Sequence, residues 1–358
     1  MDFTTTEDQQ ALVGLATQIL SEQSTKKRLD SLQSWYDGEL WLRLAEAGIV
    51  GAAMKEDVGG LGLGFTELAL TLEQVGAHVA QVPLFETVLC AALPIDEFGS
   101  DEQRQRILPD VAAGRALITA ALVESGRDDL RVPITTWDGE TVSGTKSNVP
   151  FADLAQLIVV PAMSSDGVVL LLVDPANATL REGTGTHGMP LFEVELSSAP
   201  AEVLTEDSEA LGWLLDRALT GLAATALGVS GKALKLSATY TTGREQFGRP
   251  IATFQAVGHR LADAYIDVEA LRLTTLQAVW LLDSGLPGRD EAQIAKWWAS
   301  EGGHRVAHAA QHVHGGVGID LEYDLHRYFR WSKHLEFCLG SAQAQLLSLG
   351  ATLASEPV

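Results

Sequence analysis

One stretch limits the folds open to this chain more than any other: Tyr240-Thr-Thr-Gly-Arg-Glu-Gln-Phe-Gly-Arg-Pro-Ile-Ala-Thr-Phe-Gln-Ala-Val-Gly258. It is a charged, glycine-punctuated turn between two long segments with the apolar spacing of one helix face. Upstream, Leu222, Ala226, Val229, Ala233 and Leu236 recur at steps of four and three. Downstream, Val257, Leu261, Ala264, Val268 and Leu271 do the same. Two long helices joined by a short turn belong to a helical bundle. Arg244 and Phe247 in that turn can present a permanent cation and a ring to something outside the pair. A helix hairpin with a solvated turn shares the pattern, so the rest of the chain has to decide.

At 358 residues the chain can bury a large core and hold two or three domains. A net charge of −22 excludes phosphate-rich partners such as nucleic acid, and anionic membrane surfaces. Cys90 and Cys338 alone give no disulfide framework and fit a reducing cytoplasm. No apolar run is long enough to span a bilayer.

Residues 1–115 read as helices. Thr4 and Glu7 have capping-box spacing ahead of Leu12, Leu15 and Ile19. Leu40, Trp41, Leu44 and Ala47 mark a helix stopped at Gly48. Gly59-Gly-Leu-Gly-Leu-Gly64 is a loop rather than a phosphate cradle, since no apolar strand precedes it. Ser100 and Gln103 can cap a helix that Pro109 helps end after Leu108. Over 116–205 the period changes: Ala116–Val123, Leu154–Val160 and Val168–Val173 are apolar runs, and Asp138-Gly139 and Asp166-Gly167 are hairpin turns. Long helices return over 206–358. The expected fold is therefore mainly α with a central β domain.

The segments Arg244-Glu-Gln-Phe-Gly-Arg-Pro250 and Phe254-Gln255 resemble the C-terminal signature of the acyl-CoA dehydrogenase family, and the order helix, sheet, helix resembles its fold. The resemblance implies an N-terminal helical domain, a β-barrel domain and a C-terminal four-helix bundle that builds the oligomer. It also implies FAD as cofactor, with Arg244, Phe247 and Gln255 contacting FAD held mainly by a neighbouring subunit. Gln311-His-Val-His-Gly-Gly-Val-Gly318 matches the loop that meets the adenosine half of FAD, with His312 in place of the usual Gln and with Gly315 and Gly316 retained; an ordinary helix stop shares this pattern.

Family members take a proton with a Glu at one of two places, which fall here on Leu339 and Ala218. Glu336 is the one nearby carboxylate that could substitute, if its segment is helical; Asp216 is turned away from Ala218 on a helix. The segment Val123-Glu-Ser-Gly-Arg-Asp-Asp129 and the run Asn148-Val-Pro150 stand where relatives place flavin-facing hydroxyls, a Trp and a Thr. His304, His308 and His312 share a helix face, but no completed ligand set points to a metal. Trp297, Trp298 and Trp331 read as core or interface.

Losses on the chain's own side, with retention of what serves a neighbour, point to a heteromer. The chain resembles the non-catalytic β subunit of the α2β2 acyl-CoA dehydrogenases of actinobacterial steroid side-chain degradation, sharing FAD with a related catalytic subunit. Two alternatives stay open: a self-sufficient homotetramer using Glu336, and a non-enzymatic scaffold of the same fold.

Overall fold

The computed structural model describes residues 3–127 and 129–355. The N-terminal part is helical: α1 (Glu7–Gln23), α2 (Lys26–Ser31), α3 (Gly38–Glu46), α4 (Phe65–Ala77), a π-helical stretch (Leu84–Ala92) continuing into α5 (Leu93–Phe98), and α6 (Asp101–Ala112). The capping box of α1 is Thr6 with Gln9, not Thr4 with Glu7. Gln9 Nε2 also donates to Glu67 on α4 at 2.9 Å, and this tertiary contact sets the frame. Ser100 caps α6 as expected, but Pro109 lies inside the helix rather than ending it. Leu108, Val111 and Ala112 are all buried on the last turns, and that burial outweighs the hydrogen bond the proline removes.

The middle of the chain forms β1 (Ile118–Ala120), β2 (Thr136–Trp137), β3 (Thr141–Pro150), β4 (Leu157–Met163), β5 (Val168–Val173), β6 (Thr179–Thr184), β7 (Pro190–Pro200) and β8 (Glu202–Thr205). They make one eight-stranded sheet in the order β6-β7-β3-β2-β4-β5-β8, with β1 parallel to β4. The pairing runs from β6 to β8 as two ends, so among the described residues the expected barrel is a sheet not closed by a β6–β8 pairing. Asp138 fixes the β2–β3 turn by accepting from the amides of Glu140 and Thr141. β4 starts three residues later than its apolar run, because Phe151, at φ +55°, turns the chain and accepts from the Ala155 amide. Inward residues of β7 (Phe192, Val194, Leu196) alternate with half-buried glutamates and join Val142, Val160 and Leu171 in a core of the sheet's own.

The C-terminal part contains α7 (Ala210–Gly243), the short hairpin β9 (Glu245–Gln246) and β10 (Arg249–Pro250), then α8 (Gln255–Asp283), α9 (Arg289–His314), α10 (Leu325–Phe337) and α11 (Ala342–Ser355). α7 packs on α8, α9 and α10, and α11 lies against α9. The buried face of α7 includes Leu222, Ala226, Val229 and Ala233, as their spacing predicts. α7 also packs on α4 from the N-terminal part. A Cβ on Gly228 would sit 1.9 Å from the Glu73 carbonyl oxygen, and one on Gly76 would sit 2.0 Å from that of Thr225. Only glycine permits this approach, which joins the two helical parts into one apolar core.

Candidate functional site

A cavity of about 590 Å³ lies where these parts meet. The π-helical stretch contributes Phe85, Glu86 and Cys90, α4 gives Leu72 and Val75, and α7 gives Leu222. Residues from the sheet and the turn after α10 complete the wall, and Leu339 is in that turn. Leu339 also lines an adjacent cleft of about 250 Å³ with Arg131, Leu219 and Arg289. The turn is left-handed at Leu339 (φ +52°) and at Gly340 (φ +103°). It is held from behind by the buried Lys296, whose Nζ donates to Ser300 Oγ (2.6 Å) and to the carbonyls of Gly340 (2.9 Å) and Glu336 (3.3 Å). Gln345 Nε2 donates to the Leu339 carbonyl.

Glu336 does not share a helical face with Leu339, because α10 ends at Phe337 before the turn begins. Its carboxylate contacts His304 Nδ1 (3.1 Å) and Lys333 Nζ (2.8 Å) and is not in the cavity wall. Those contacts hold its pKa below the usual range against the opposing effect of burial. An ionised, paired carboxylate outside the cavity is poorly placed to act as its base. Ala218 is fully buried in α7, and Asp216, two residues earlier and on another face of the helix, is paired with Arg131. The His304 ring also packs against that of His308, tilted by 36° with centroids 4.3 Å apart. Among the described residues no three His, Cys, Asp or Glu side chains converge as a metal site.

Most of the segment beginning at Val123 is described, with Asp128 outside the described residues. Its glutamate is structural. Glu124 accepts from the Ile134 and Thr135 amides, the Thr135 hydroxyl and Lys146 Nζ, the last at 2.8 Å with both side chains buried. Lys146 donates further to the Pro161 carbonyl. Ser125 and Gly126 stay exposed and line the cavity. Asn148 sits at φ +54° in an irregularity of the β3–β7 register and also lines the cavity.

The residues expected to serve a neighbour are all on the outside. Arg244, Gln255, His312, Gly315 and Gly316 are exposed, and Phe247, at φ +55° on the β9–β10 hairpin, is 92% exposed. Among the described residues no side chain partners the Arg244 guanidinium. Behind this surface Tyr240, near the end of α7, stacks on His314, the last residue of α9. The hairpin and the glycine loop Gly315–Ile319 therefore stand at one end of the bundle.

Comparison with known proteins agrees with this architecture. The acyl-CoA dehydrogenase N-terminal domain model matches residues 6–115 and the C-terminal domain model matches 210–354. Acyl-CoA dehydrogenase FadE27 of Mycobacterium tuberculosis is 38% identical over the whole of both chains. This chain belongs to the acyl-CoA dehydrogenase family. Among solved structures, a chain of the ChsE4–ChsE5 complex from Mycobacterium tuberculosis superposes with a TM-score of 0.94 at 37% identity, covering 100% of each chain. A chain of a Tcur3481–Tcur3483 steroid ACAD variant gives a TM-score of 0.93 at 43% identity, covering 97% of this chain and 98% of that one.

FAD is typical of the acyl-CoA dehydrogenase family, and the outward surface suits it. A guanidinium without a side-chain partner among the described residues and an exposed amide are groups able to donate to phosphates, and the exposed ring and two glycines leave room for a base to approach. This chain also has a cavity of its own, and sequence reasoning missed several of its walls. Glu86 is half-buried there without a partner side chain, and burial pushes its pKa up to about 7. His187 and His334 face each other at 3.9 Å beside Trp35 and Trp331, and burial lowers both imidazoles, so they are neutral at pH 7. Trp331 is thus part of the cavity wall as well as of the core. The signal for Glu86 was its place in the apolar run Pro83–Leu93, where a lone carboxylate has no face to point toward water. Among the described residues, no helix is long and apolar enough to cross a membrane.

Proposed function

We propose that this chain is the non-catalytic β subunit of an α2β2 FAD-dependent acyl-CoA dehydrogenase, with a related catalytic subunit as partner and a steroid side-chain CoA thioester as substrate class. The observation that carries the reading is a division within one molecule. Leu339 and Ala218, neither able to accept a proton, occupy the two base positions, while Arg244, Phe247, Gln255, His312, Gly315 and Gly316 all stand exposed. The reaction removes a proton α to a thioester carbonyl and a hydride from the β carbon, and bound flavin supplies the hydride acceptor. On this reading the partner supplies the base. This chain's part is positioning: Arg244 offers a guanidinium to the dinucleotide's phosphates, Phe247 covers a ring edge, and the Gly315–Gly316 backbone admits close approach. Support for a heteromer comes from the solved relatives, one a chain of the ChsE4–ChsE5 complex and another of the Tcur3481–Tcur3483 steroid ACAD.

The test is expression alone and together with a relative that carries Glu at a base position, recording flavin absorbance, mass in solution and acyl-CoA oxidation. The expected result is flavin and turnover only in the pair. Turnover by this chain alone would refute the proposal.

A further inference from the structure

The six-residue helix α2 buries Leu29 and leaves its other side chains toward solvent. So short a helix is not stable by itself, and its place depends on what its side chains reach. Arg28 ties it to the start of α3, donating to both carboxylate oxygens of Asp37 at 2.7 Å. Lys26 and Asp30, one turn apart and on another side of the helix from Arg28, pair with each other at 2.6 Å. Asp30 also pairs with Arg327 on α10, 297 residues away. Lys26 Nζ lies 3.8 Å from the Glu322 carboxylate, and Arg327 Nε lies 3.7 Å from that of Asp324. Charges of alternating sign, Glu322, Lys26, Asp30, Arg327 and Asp324, thus run in one row from the segment ahead of α10, over α2, and back.

The segment so held follows directly on the glycine loop Gly315–Ile319. Apolar burial does little to fix it, since Ile319 and Leu321 are both exposed. Its own backbone bonds are local, Asp320 amide to Val317 carbonyl at 3.2 Å and Tyr323 amide to Asp320 carbonyl at 3.0 Å. The Tyr323 hydroxyl meets His314 from one side, and the ionic row from α2 completes the hold from the other. An isolated exposed ion pair contributes little, but Arg327 is 16% exposed and the row is connected. We propose that α2 is a positioning element for the exposed surface at the end of the bundle: Asp30 and Lys26 act through Arg327 and Glu322 to hold the glycine loop, and so set how tightly its backbone receives the dinucleotide. No covalent step is involved. The link to the dinucleotide rests on the heteromeric reading; the hold on the loop does not.

The test has two arms, hydrogen exchange on the purified full chain and FAD titration of the co-expressed pair. Asp30→Asn, Arg327→Met and their double variant should each speed exchange of the Asp320 and Tyr323 amides about fivefold, the double no more than either single change, because one link is broken in all three. Arg327→Lys, which keeps the cation, should stay close to wild type. Salt at about 0.5 M should speed exchange in the wild type and leave Asp30→Asn unaltered. In the pair, the same variants should raise the FAD dissociation constant about fivefold, again without adding. Asp30 is at the surface, so Asp30→Asn keeps the test open even if Arg327→Met fails to fold. Unchanged exchange in Asp30→Asn, additive effects of the two changes, or faster exchange with unaltered FAD affinity would each overturn the proposal. A wild-type pair that takes up no FAD would instead sink the heteromeric reading, and with it the link to the dinucleotide, while the exchange arm alone decides whether α2 holds the loop.

Discussion

Tyr240 and His314 stack with ring centroids 4.4 Å apart and planes inclined by 23°. The His314 ring is anchored at both nitrogens, Nδ1 on the Ala310 carbonyl at 2.8 Å and Nε2 on the Tyr323 hydroxyl at 3.1 Å. One ring pair therefore ties the end of α7 to the end of α9, and so the turn bearing Arg244 to the loop bearing Gly315. Tyr240→Ala should cost about 1–2 kcal/mol of stability in urea titration. On the proposed reading it should also lower flavin retention by the co-expressed pair, although Tyr240 lies behind the exposed surface that bears Arg244 and Gly315.

Arg244 and Phe247 should separate binding from folding. Arg244→Ala removes an exposed, unpartnered side chain, so the isolated chain's stability should stay within about 0.5 kcal/mol of wild type. The pair should lose bound flavin, read by absorbance after gel filtration. Phe247→Gly relieves a left-handed backbone at an exposed ring, and should leave the chain as stable or up to ~1 kcal/mol more stable while weakening flavin retention.

Glu86 gives the stability curve a sign. Its carboxyl has an ordinary value of 4.5 and is pushed up to about 7 by burial. Between these values the folded state binds more protons than the unfolded one, so stability falls as pH rises through the window. Glu86→Gln should remove that fall and exceed wild type by roughly 1–3 kcal/mol at pH 8, measured by chemical denaturation from pH 4.5 to 8.

Lys296 works in the opposite direction. Burial lowers its ammonium from 10.5 to about 8. Above pH 8 the unfolded chain holds the proton that the folded chain releases, so this group's contribution to stability should rise by roughly 2–3 kcal/mol up to about pH 10.5. Lys296→Met should abolish that rise. At pH 7 it should perturb the Leu339 turn, since two carbonyls lose their donor; hydrogen exchange of the Phe337–Ser341 amides reports it.

The pair Lys146 and Glu124 predicts a non-additive cycle. Lys146→Met alone strands a buried carboxylate and should cost about 3–5 kcal/mol. The double variant Lys146→Met with Glu124→Gln should cost less than the sum of the two single changes. Thermal unfolding of the four proteins checks this.

Local chemistry was legible in the sequence and long-range placement was not. The face of α7 follows from steps of four and three, and the hairpins at Asp138-Gly139 and Asp166-Gly167 follow from turn residues whose preferences are intrinsic. Pro109 misled because a proline's local cost is weighed against burial of Leu108 and Val111, which only the packed fold reveals. Glu336 was a candidate only if one helix ran on to residue 339, and α10 ends at Phe337 before a turn that is left-handed at Leu339. Lys146 and Lys296 look like surface lysines in sequence; their burial depends on carbonyls and carboxylates 15 to 44 residues away. The exposure of the outward residues was foreseeable because they lie in two short turns at helix ends, whereas the cavity draws its wall from all three parts of the chain.

The turn at Leu339 is gripped through its backbone by Lys296 and Gln345, which donate to the Gly340 and Leu339 carbonyls. The backbone of residue 339 is thus fixed by donors that do not touch its side chain, although that side chain is itself buried in the apolar core. On the proposed reading, a carboxylate introduced there would inherit a pedestal already held in place by Lys296 and Gln345.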